Sequence, residues 1–448
     1  MAGTQLIQVG TSPPNTNSRK IWTFSFWLKR SKLGAEQCVW TTRTNGSNNH
    51  LFRFNADDTF TFKGAASGSD IMNLISNAKF RDCNAWYHFV LAVDSTQGTA
   101  SNRARVYVNG SEITSYSTAD YGAQNESFEI NEQGNQPFFI GSESSQNYFD
   151  GLMSYFAFVS GTQEAPTIFG ETDSTTGEWK IKTTITPSSA WGTNGFFILK
   201  DGNSVTDQSG NSSNFQVHQG TLTSTKDCPS NVYCVWNAVV KQTGEMTTIG
   251  NGNTYLRTQN DNTWRSAYGT IGFQGTGKFY AEFKCGNLGG TQHLGIVDVD
   301  QQNSDNGSKF SNASRAYAYA NNGQKVGAGS QSSYGNSWDS GAYLQIAYNN
   351  GAIWFGKDGT WQNSATISEI NAGTTTNAAF TGIDTSKTYT IGWNGYADDI
   401  IELNAGNGWF RTTEIGSPNN PSSGDTEAKF KYTVPTAHQP ISTKALNE

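Results

Sequence analysis

Apolar and polar residues alternate with a period of two along much of the chain. Residues 22–28 show the alternation most clearly, and shorter runs at 52–54 and 60–62 repeat it. Successive side chains of a strand point to opposite faces of a sheet, so one face of each segment is expected to be buried. We find no stretch of about 11 residues or more with the apolar spacing of an amphipathic helix. The pattern predicts an all-β protein.

The first half of the chain holds a closely spaced series of these segments. Residues 86–93 are apolar at both alternating positions, which predicts a strand covered on both faces. Residues 105–108 run into Asn109 and Gly110, a strong hairpin signal because both residue types accept a positive φ. Residues 152–159 supply a further strand. The series predicts an antiparallel β-sandwich.

A second alternating series begins near residue 246. Its predicted strands are 277–283, 294–297, 316–320, 344–348, 352–356, 389–393 and 400–403. Short strands separated by turn residues at this spacing are typical of a second sandwich. We therefore predict two tandem antiparallel β-sandwiches, at residues 21–226 and 227–448, the first including a closing segment and linker. Residues 1–20 are interpreted as an N-terminal attachment arm.

Composition and charge narrow the functional classes. The chain has 448 residues, which exceeds one hydrophobic core and favours two domains. Its net charge is -7 and it has no concentrated run of Lys or Arg, which argues against nucleic acid as a partner. No apolar stretch approaches the ~20 residues of a membrane span, so no membrane insertion is expected. The first residues lack the features of a secretory signal, which predicts that the protein is made in a cytoplasm and is not exported by that route.

Metal and nucleophile chemistry finds little support in the sequence. The five cysteines are scattered and form no Cys-x-x-Cys pair, so reduced, partly buried thiols are expected. The five histidines share no motif, and His88 falls inside a predicted strand, where a hydrogen-bonded core histidine is the usual explanation. No cofactor is predicted.

Several segments of the first half resemble the laminin-G-like, concanavalin-type jelly roll. They are Trp-Tyr-His-Phe-Val at 86–90, Val-Tyr-Val-Asn-Gly at 106–110, Phe-Ile-Gly at 139–141 and Phe-Asp-Gly-Leu at 149–152. The following segments resemble the form of that module found in phage structural proteins: 169–174, 177–179, 192–196 and 207–211. The resemblance implies a jelly-roll fold for this half.

The second half is similar to the SPRY-like sandwich in its phage variety. The similarity lies in Asn-Asn-Gly-Ala-Ile-Trp-Phe-Gly-Lys-Asp-Gly-Thr-Trp at 349–361, and residues 430–436 resemble the segment that closes such chains. The linker departs from the family pattern, since Asp-Cys-Pro-Ser-Asn at 227–231 stands where a Thr-Pro run is more usual. That departure bears on the angle between the domains and leaves the expected fold unchanged.

The resemblance implies a structural protein of a bacteriophage, located in the virion and assembled in the host cytoplasm. We expect a tail or head fibre or appendage subunit that contacts host-surface polysaccharide and other tail or capsid proteins. A homo-oligomer such as a trimer is implied as well. One alternative is a capsid decoration or cement protein without receptor binding, which the lack of a coiled-coil or collagen-like shaft favours.

A polysaccharide depolymerase is the third alternative, although we expect no enzymatic activity. Such an enzyme needs two carboxylates facing the scissile bond, and residues two apart on a strand share a face. Glu171 and Asp173 have this spacing but lie in a Thr- and Gly-rich loop. Asp298 and Asp300 enter a polar loop, which favours solvated carboxylates there too.

Two kinds of binding site remain open. Calcium could sit at the rim of a jelly roll, where Asp57, Asp58, Asp94 and Asp150 are available without forming a ligand loop by their spacing. Ligand-binding candidates are the loop aromatics, because rings flanked by small polar residues suit adaptable recognition. These candidates are Tyr334 and Trp338, in the Ser- and Gly-rich segment 329–339, and Trp361. The alternative is that these rings fold back to cover the end of the sandwich.

Overall fold

The computed structural model divides into two compact units, Met1–Ser224 and Thr225–Glu448. The division lies two residues before the sequence-based boundary. The structure describes residues 3–8, 19–45, 47–128, 130, 138–200, 205–241, 246–302, 310, 313–327 and 329–446. Strands in antiparallel sheets dominate both units, so the all-β prediction is confirmed.

The first unit contains two main sheets. Its described strands are β1 Gln5–Gln8, β2 Ile21–Arg30, β3 Gln37–Asn45, β4 Asn48–Phe54, β5 Phe60–Ala66, β6 Ser69–Ser76, β7 Tyr87–Asp94, β8 Ala104–Val108, β9 Ser111–Glu112, β10 Tyr116–Asp120, β11 Phe138–Ile140, β12 Gly151–Ser160, β13 Gly170–Thr172, β14 Trp179–Ile181, β15 Ser188–Trp191, β16 Phe196–Ile198 and β17 Phe215–Gln219. An eight-stranded sheet has the order β10-β6-β5-β4-β3-β11-β1-β17. A six-stranded sheet has the order β16-β12-β2-β7-β8-β9, and β13 pairs with β14.

An aromatic core fills the space between these two sheets. The alternating side chains of β2 that the sequence placed inward, including Trp22, Phe24 and Phe26, are fully buried. Phe24 stacks on Trp40 of the facing sheet with a ring-centroid separation of 4.4 Å. Burying an aromatic side chain of this size contributes about 1.5–3 kcal/mol, so this cluster supplies much of the stability of the unit.

The range predicted as an attachment arm contains a strand of the sandwich. Gln5–Gln8 pairs with β11 and with β17, and Leu6 is fully buried in the core. The arm interpretation is therefore wrong for these four residues, because an apolar side chain at Leu6 and the free edge of β11 favour pairing. Pro13 and Pro14 lie outside the described residues.

The second unit is also a sandwich of two sheets. Its described strands are β18 Trp236–Lys241, β19 Met246–Gly250, β20 Tyr255–Thr258, β21 Arg265–Gly269, β22 Phe273–Gln274, β23 Lys278–Asn287, β24 His293–Asp298, β25 Ala316–Ala320, β26 Gln324–Gly327, β27 Ser330–Ser333, β28 Tyr343–Asn349, β29 Ala352–Lys357, β30 Thr360–Trp361, β31 Thr388–Gly395, β32 Ile400–Asn404, β33 Trp409–Phe410 and β34 Thr413–Glu414. One sheet has the order β18-β21-β31-β24-β25-β26-β27, with β22 paired to β31. The other has the order β19-β20-β32-β23-β28-β29-β30, and β33 pairs with β34.

Helices are short throughout the described residues. Helix α1 spans Ile367–Ala372 and α2 spans Thr443–Leu446. Thr366 caps α1 by accepting the Glu369 backbone N–H, and Gly373 ends it in the left-handed conformation that glycine adopts most readily. The three 3-10 helices are Ala100–Asn102, Pro166–Ile168 and Val299–Gln301.

The C-terminal segment covers part of the outer face of the seven-stranded sheet. Phe430 is fully buried and packs edge-on against Tyr280 of β23, with ring centroids 4.9 Å apart. The buried Glu282 carboxylate accepts the backbone N–H groups of Lys431 and Tyr432, each at 2.7 Å, and the Tyr280 hydroxyl at 2.9 Å. Burial raises the pKa of Glu282 to about 7, against the opposing effect of these donors.

Candidate functional site

The structure places the three predicted ligand-binding rings in the interior of the second unit. Tyr334 and Trp338 are 7% and 2% exposed and belong to the main core, and Trp361 is 9% exposed. The Tyr334 hydroxyl accepts the Phe355 backbone N–H at 3.2 Å. The expectation of exposed rings is therefore not met, because these side chains gain more from covering the end of the core than from facing water.

The carboxylate pair Glu171 and Asp173 lies on the small β13–β14 hairpin. Both carboxylates pair with Lys180, at 3.5 Å and 3.1 Å. The backbone N–H groups of Thr176 and Thr175, followed by Lys180, lower the pKa of Asp173 to about 2. A carboxyl group with this pKa is unsuited to donate a proton near neutral pH. The second pair is also engaged, since Asp298 pairs with Arg315 and accepts the Asp300 backbone N–H.

His88 lies in a hydrogen-bonded aromatic cluster on the outer face of the six-stranded sheet. Its ring stacks on Trp27 at a centroid separation of 4.6 Å. The Trp179 indole N–H donates to His88 Nδ1 at 2.9 Å, and His88 Nε2 lies 2.8 Å from Ser25 Oγ. Burial lowers the pKa of His88 to about 3.

The direction of these hydrogen bonds decides what His88 can do. Because an indole nitrogen only donates, Nδ1 must accept, and the single proton of the neutral ring is on Nε2. His88 therefore donates to Ser25 Oγ and cannot remove its proton as a general base would. The cluster fastens the β13–β14 hairpin to the sheet, with Gly110 and Gly170 leaving room for the Trp179 ring.

The four predicted calcium-ligand candidates do not form a ligand set. Asp58 pairs with Arg30 and Arg81, each at 3.1 Å. Asp57 accepts from Thr59, and Asp94 accepts from Thr96 and Gln97. The described residues contain no group of three or more His, Cys, Asp or Glu side chains arranged to hold a metal ion. The contacts of Asp57, Asp58 and Asp94 therefore provide no calcium-ligand set, and the absence of a cofactor stays a prediction.

A polar cluster lies on the outer face of the eight-stranded sheet. This open-face cluster consists of Glu36, Arg43, Arg53, Glu143 and Asn147. Arg53 lies 3.4 Å from Glu36 and 3.9 Å from Glu143, and Arg43 lies 3.9 Å from Glu143. The Asn147 side-chain amide donates to both carboxylates, at 3.4 Å and 3.2 Å. Its two arginine side chains are 27% and 28% exposed.

Aromatic and amide side chains border the open-face cluster. The Tyr148 hydroxyl donates to Gln219 Oε1, and the Gln219 amide donates to Ser145 Oγ at 3.0 Å. Further along the face, the exposed His218 lies 6.4 Å from Phe139, measured between ring centroids. The border thus offers rings and hydrogen-bonding groups side by side.

Sequence reasoning did not find the open-face cluster. Its members come from β3, β4 and two loops, and only the pairing of β3 with β4 and β11 brings them together. A local signal exists in the loop before Phe149, where Ser144, Ser145 and Asn147 adopt left-handed backbone conformations. Such conformations cost free energy and are concentrated at functional sites, but a sequence does not display them.

The second unit has a smaller aromatic surface at one end. Trp264 and Tyr396 are half-buried, with ring centroids 5.3 Å apart, and Trp264 lies 5.0 Å from the ring of His293. These residues come from separate loops and a strand start, so the sequence did not group them. No helix in the described part of the chain has the length and apolar character needed to cross a bilayer.

Comparison with protein families gives one match, over residues 2–169, to a model described as the concanavalin A-like lectin/glucanases superfamily. A comparison with curated proteins found no match. Similar solved structures include the SPRY domain of human HERC1, which is 12% identical; the alignment covers 38% of this chain and 96% of that one, with a TM-score of 0.29.

Two further similar structures have carbohydrate terms in their descriptions. A putative carbohydrate binding protein from Bacteroides ovatus is 16% identical, with 50% of this chain and 60% of that one covered and a TM-score of 0.34. Domain 4 of AbnA, a GH43 extracellular arabinanase from Geobacillus stearothermophilus in complex with arabinotriose, is 16% identical, with 37% and 69% covered and a TM-score of 0.25. Likenesses this low give this chain no function. The family match, in contrast, gives residues 2–169 a concanavalin A-like domain.

Proposed function

We propose that the protein binds glycans through the open-face cluster of the first unit. The observation that carries this proposal is the set of Arg, Asn and Glu side chains beside Tyr148 on the outer face of the eight-stranded sheet. Neighbouring sugar hydroxyls can both donate and accept, so they pair well with forked guanidinium, amide and carboxylate groups. The concanavalin A-like match of residues 2–169 supports the same conclusion.

The ion pairs of the cluster prepare it for binding. Arg53 and Asn147 each contact both Glu36 and Glu143, so each side chain is held by more than one neighbour. Side chains that are already ordered lose less conformational entropy when a ligand binds. A sugar that displaces water from the cluster would therefore contact hydrogen-bond donors and acceptors that are already ordered.

The test is a glycan array probed with the intact protein and three variants, Arg53→Ala, Glu143→Gln and Tyr148→Ala. Arg105→Ala is the matched control, because Arg105 forms an exposed ion pair with Glu112 on the other sheet. We expect the first three variants to lose binding to the glycan that the intact protein selects, and the control to keep it. Unchanged binding by all three would place the site elsewhere.

We further propose that the glycan-binding unit is part of a bacteriophage appendage and has no hydrolytic activity. The resemblance of residues 169–211 and 349–361 to phage structural modules supports this role. Immunogold electron microscopy of phage particles would locate the chain. Label on the tail supports host recognition, and label over the head supports a decoration protein. Particles that stay unlabelled although the antigen is accessible contradict a virion role. Loss of polymer viscosity on incubation would reveal a depolymerase.

A further inference from the structure

A row of charged and aromatic side chains crosses the outer face of the seven-stranded sheet in the second unit. Tyr255 of β20 pairs with Glu402 of β32, which pairs with Lys284 of β23, which pairs with Tyr343 of β28. Residues that pair directly across strands point to the same face. The two tyrosines are three strand spacings apart, or roughly 14 Å.

Two further cations lie over the rings at the ends of this row. The Arg411 guanidinium is 4.5 Å from the ring centroid of Tyr255. The Lys431 ammonium is 4.6 Å from the ring centroid of Tyr343, and the Lys284 ammonium is 5.8 Å from the same ring. Arg411 and Lys431 are exposed, so a ligand in solution can reach both charges. We call Lys284, Arg411 and Lys431 the cation row.

The three cations of the row have no carboxylate within ion-pair distance in the described part of the chain. In the described part of the chain, no Asp or Glu oxygen lies within 4.0 Å of these three cations. Glu402, which pairs with Tyr255 and Lys284 in the row, is 5% exposed, and burial raises its pKa against the opposing effect of Lys284 and Arg411. Among the described residues these three cations therefore have no ion-pair partner, on a chain whose net charge is -7.

The backbone adds a second observation. Arg411 begins the two-residue turn between β33 and β34 and has a φ of 51°. Glycine or asparagine is the usual residue in this conformation, since a larger side chain is strained there. In this backbone conformation the Arg411 guanidinium lies over Tyr255, at one end of the row.

We propose that the cation row binds an anionic polysaccharide whose sugars carry carboxylates. Ammonium and guanidinium groups recognise carboxylates by charge-assisted hydrogen bonds, and the half-buried Tyr343 ring beside two of them offers apolar surface to the face of a sugar. Nucleic acid fits less well, because its dense phosphates need a longer basic surface and are repelled by a chain of net charge -7. The site belongs to the second unit and does not depend on the open-face cluster.

The test measures binding of the full chain to immobilised polygalacturonate, with neutral dextran and single-stranded DNA as comparisons. The variant Lys284→Gln, Arg411→Gln, Lys431→Gln removes the row. A variant with Lys180→Gln, Lys226→Gln and Lys387→Gln changes the net charge equally, at lysines that already pair with carboxylates. Lys431→Gln alone serves if the triple variant does not fold, because this side chain is exposed.

We expect polygalacturonate binding that weakens with added salt and falls about tenfold or more in the row variant, while the control variant keeps it. Equal loss in both variants would show attraction by net charge alone and overturn the proposal. Equal affinity for DNA or dextran would overturn it too. The Arg53→Ala variant should bind polygalacturonate normally; loss there would move acidic-glycan binding to the first unit.

Discussion

In each sandwich a peripheral segment covers part of the outer face of one sheet, but the two segments are held in place by different side-chain groups. In the first unit, the β13–β14 hairpin is held on the six-stranded sheet by the neutral hydrogen bond between Trp179 and His88. In the second unit, the C-terminal segment is held on the seven-stranded sheet by Glu282, a buried carboxylate that accepts two backbone N–H groups. The first attachment works only while the histidine is neutral, and the second uses a group that titrates near neutral pH.

This difference predicts opposite responses to pH. A buried neutral histidine resists protonation, so acid favours the unfolded chain. A buried carboxyl group resists ionisation, so base favours the unfolded chain at that group. The same structural task thus makes one attachment sensitive to acid and the other sensitive to neutral and alkaline pH.

Acidification gives the largest expected effect, through His88. Its pKa is about 3 in the folded protein against 6.5 ordinarily, so its contribution to stability is complete above pH 6.5 and is lost as the pH falls toward 3. The full loss is roughly 5 kcal/mol. This loss of stability is measured by denaturant unfolding at a series of pH values, with hydrogen exchange of β7 peptides as the signal. The variant His88→Gln should show a flatter acid limb, and an identical limb would contradict this account.

Trp179→Ala should destabilise the first unit by about 3 kcal/mol, because a large ring is removed from beside Gly110 and Gly170 and His88 Nδ1 loses its donor. Hydrogen exchange should accelerate in β7 and β13 and stay unchanged in β23. Trp179→Phe is the matched control: it keeps an aromatic ring and should cost about 1 kcal/mol. Equal effects of the two substitutions would mean that the hydrogen bond, and not ring packing, dominates.

Glu282 should make the second unit less stable as the pH rises. Its pKa is about 7 in the folded protein against 4.5 ordinarily, so its contribution is complete below pH 4.5 and is lost as the pH rises through 7. The loss is about 3 kcal/mol. Glu282→Gln should remove this dependence, because the amide resembles the protonated acid. Hydrogen exchange of residues 425–436 at pH 5 and pH 8 is the measurement, and an unchanged profile in the variant would refute it.

The smallest effect concerns the face that neither attachment covers. Arg53→Ala in the open-face cluster should weaken binding of the selected glycan about tenfold, or about 1.4 kcal/mol, and leave the free energy of unfolding nearly unchanged. Calorimetric titration with that glycan measures the affinity, and thermal unfolding measures the stability. A variant that loses stability without losing affinity would show that the ion pairs of Arg53 serve the fold alone.

The sequence predicted the strands well where one face is buried. The alternation at 22–28 became β2, and the Asn109-Gly110 turn joins β8 to β9 as expected. It left open whether Tyr334 and Trp338 are exposed or buried, because a ring in a Ser- and Gly-rich segment has the same local pattern whether it faces water or folds inward. It also missed Arg53 and Asn147, which approach each other only after distant strands have paired.

What the sequence determined by itself is the all-β architecture with its two series of strands, since side-chain alternation and turn residues act over a few neighbouring positions. Only the tertiary structure decided which polar groups meet and which rings are covered. Strand register brings Lys284 beside Tyr343, and the C-terminal segment encloses Glu282. Burial and pKa depend on these long-range contacts, so the chemistry of each face became visible only once the sheets were assembled.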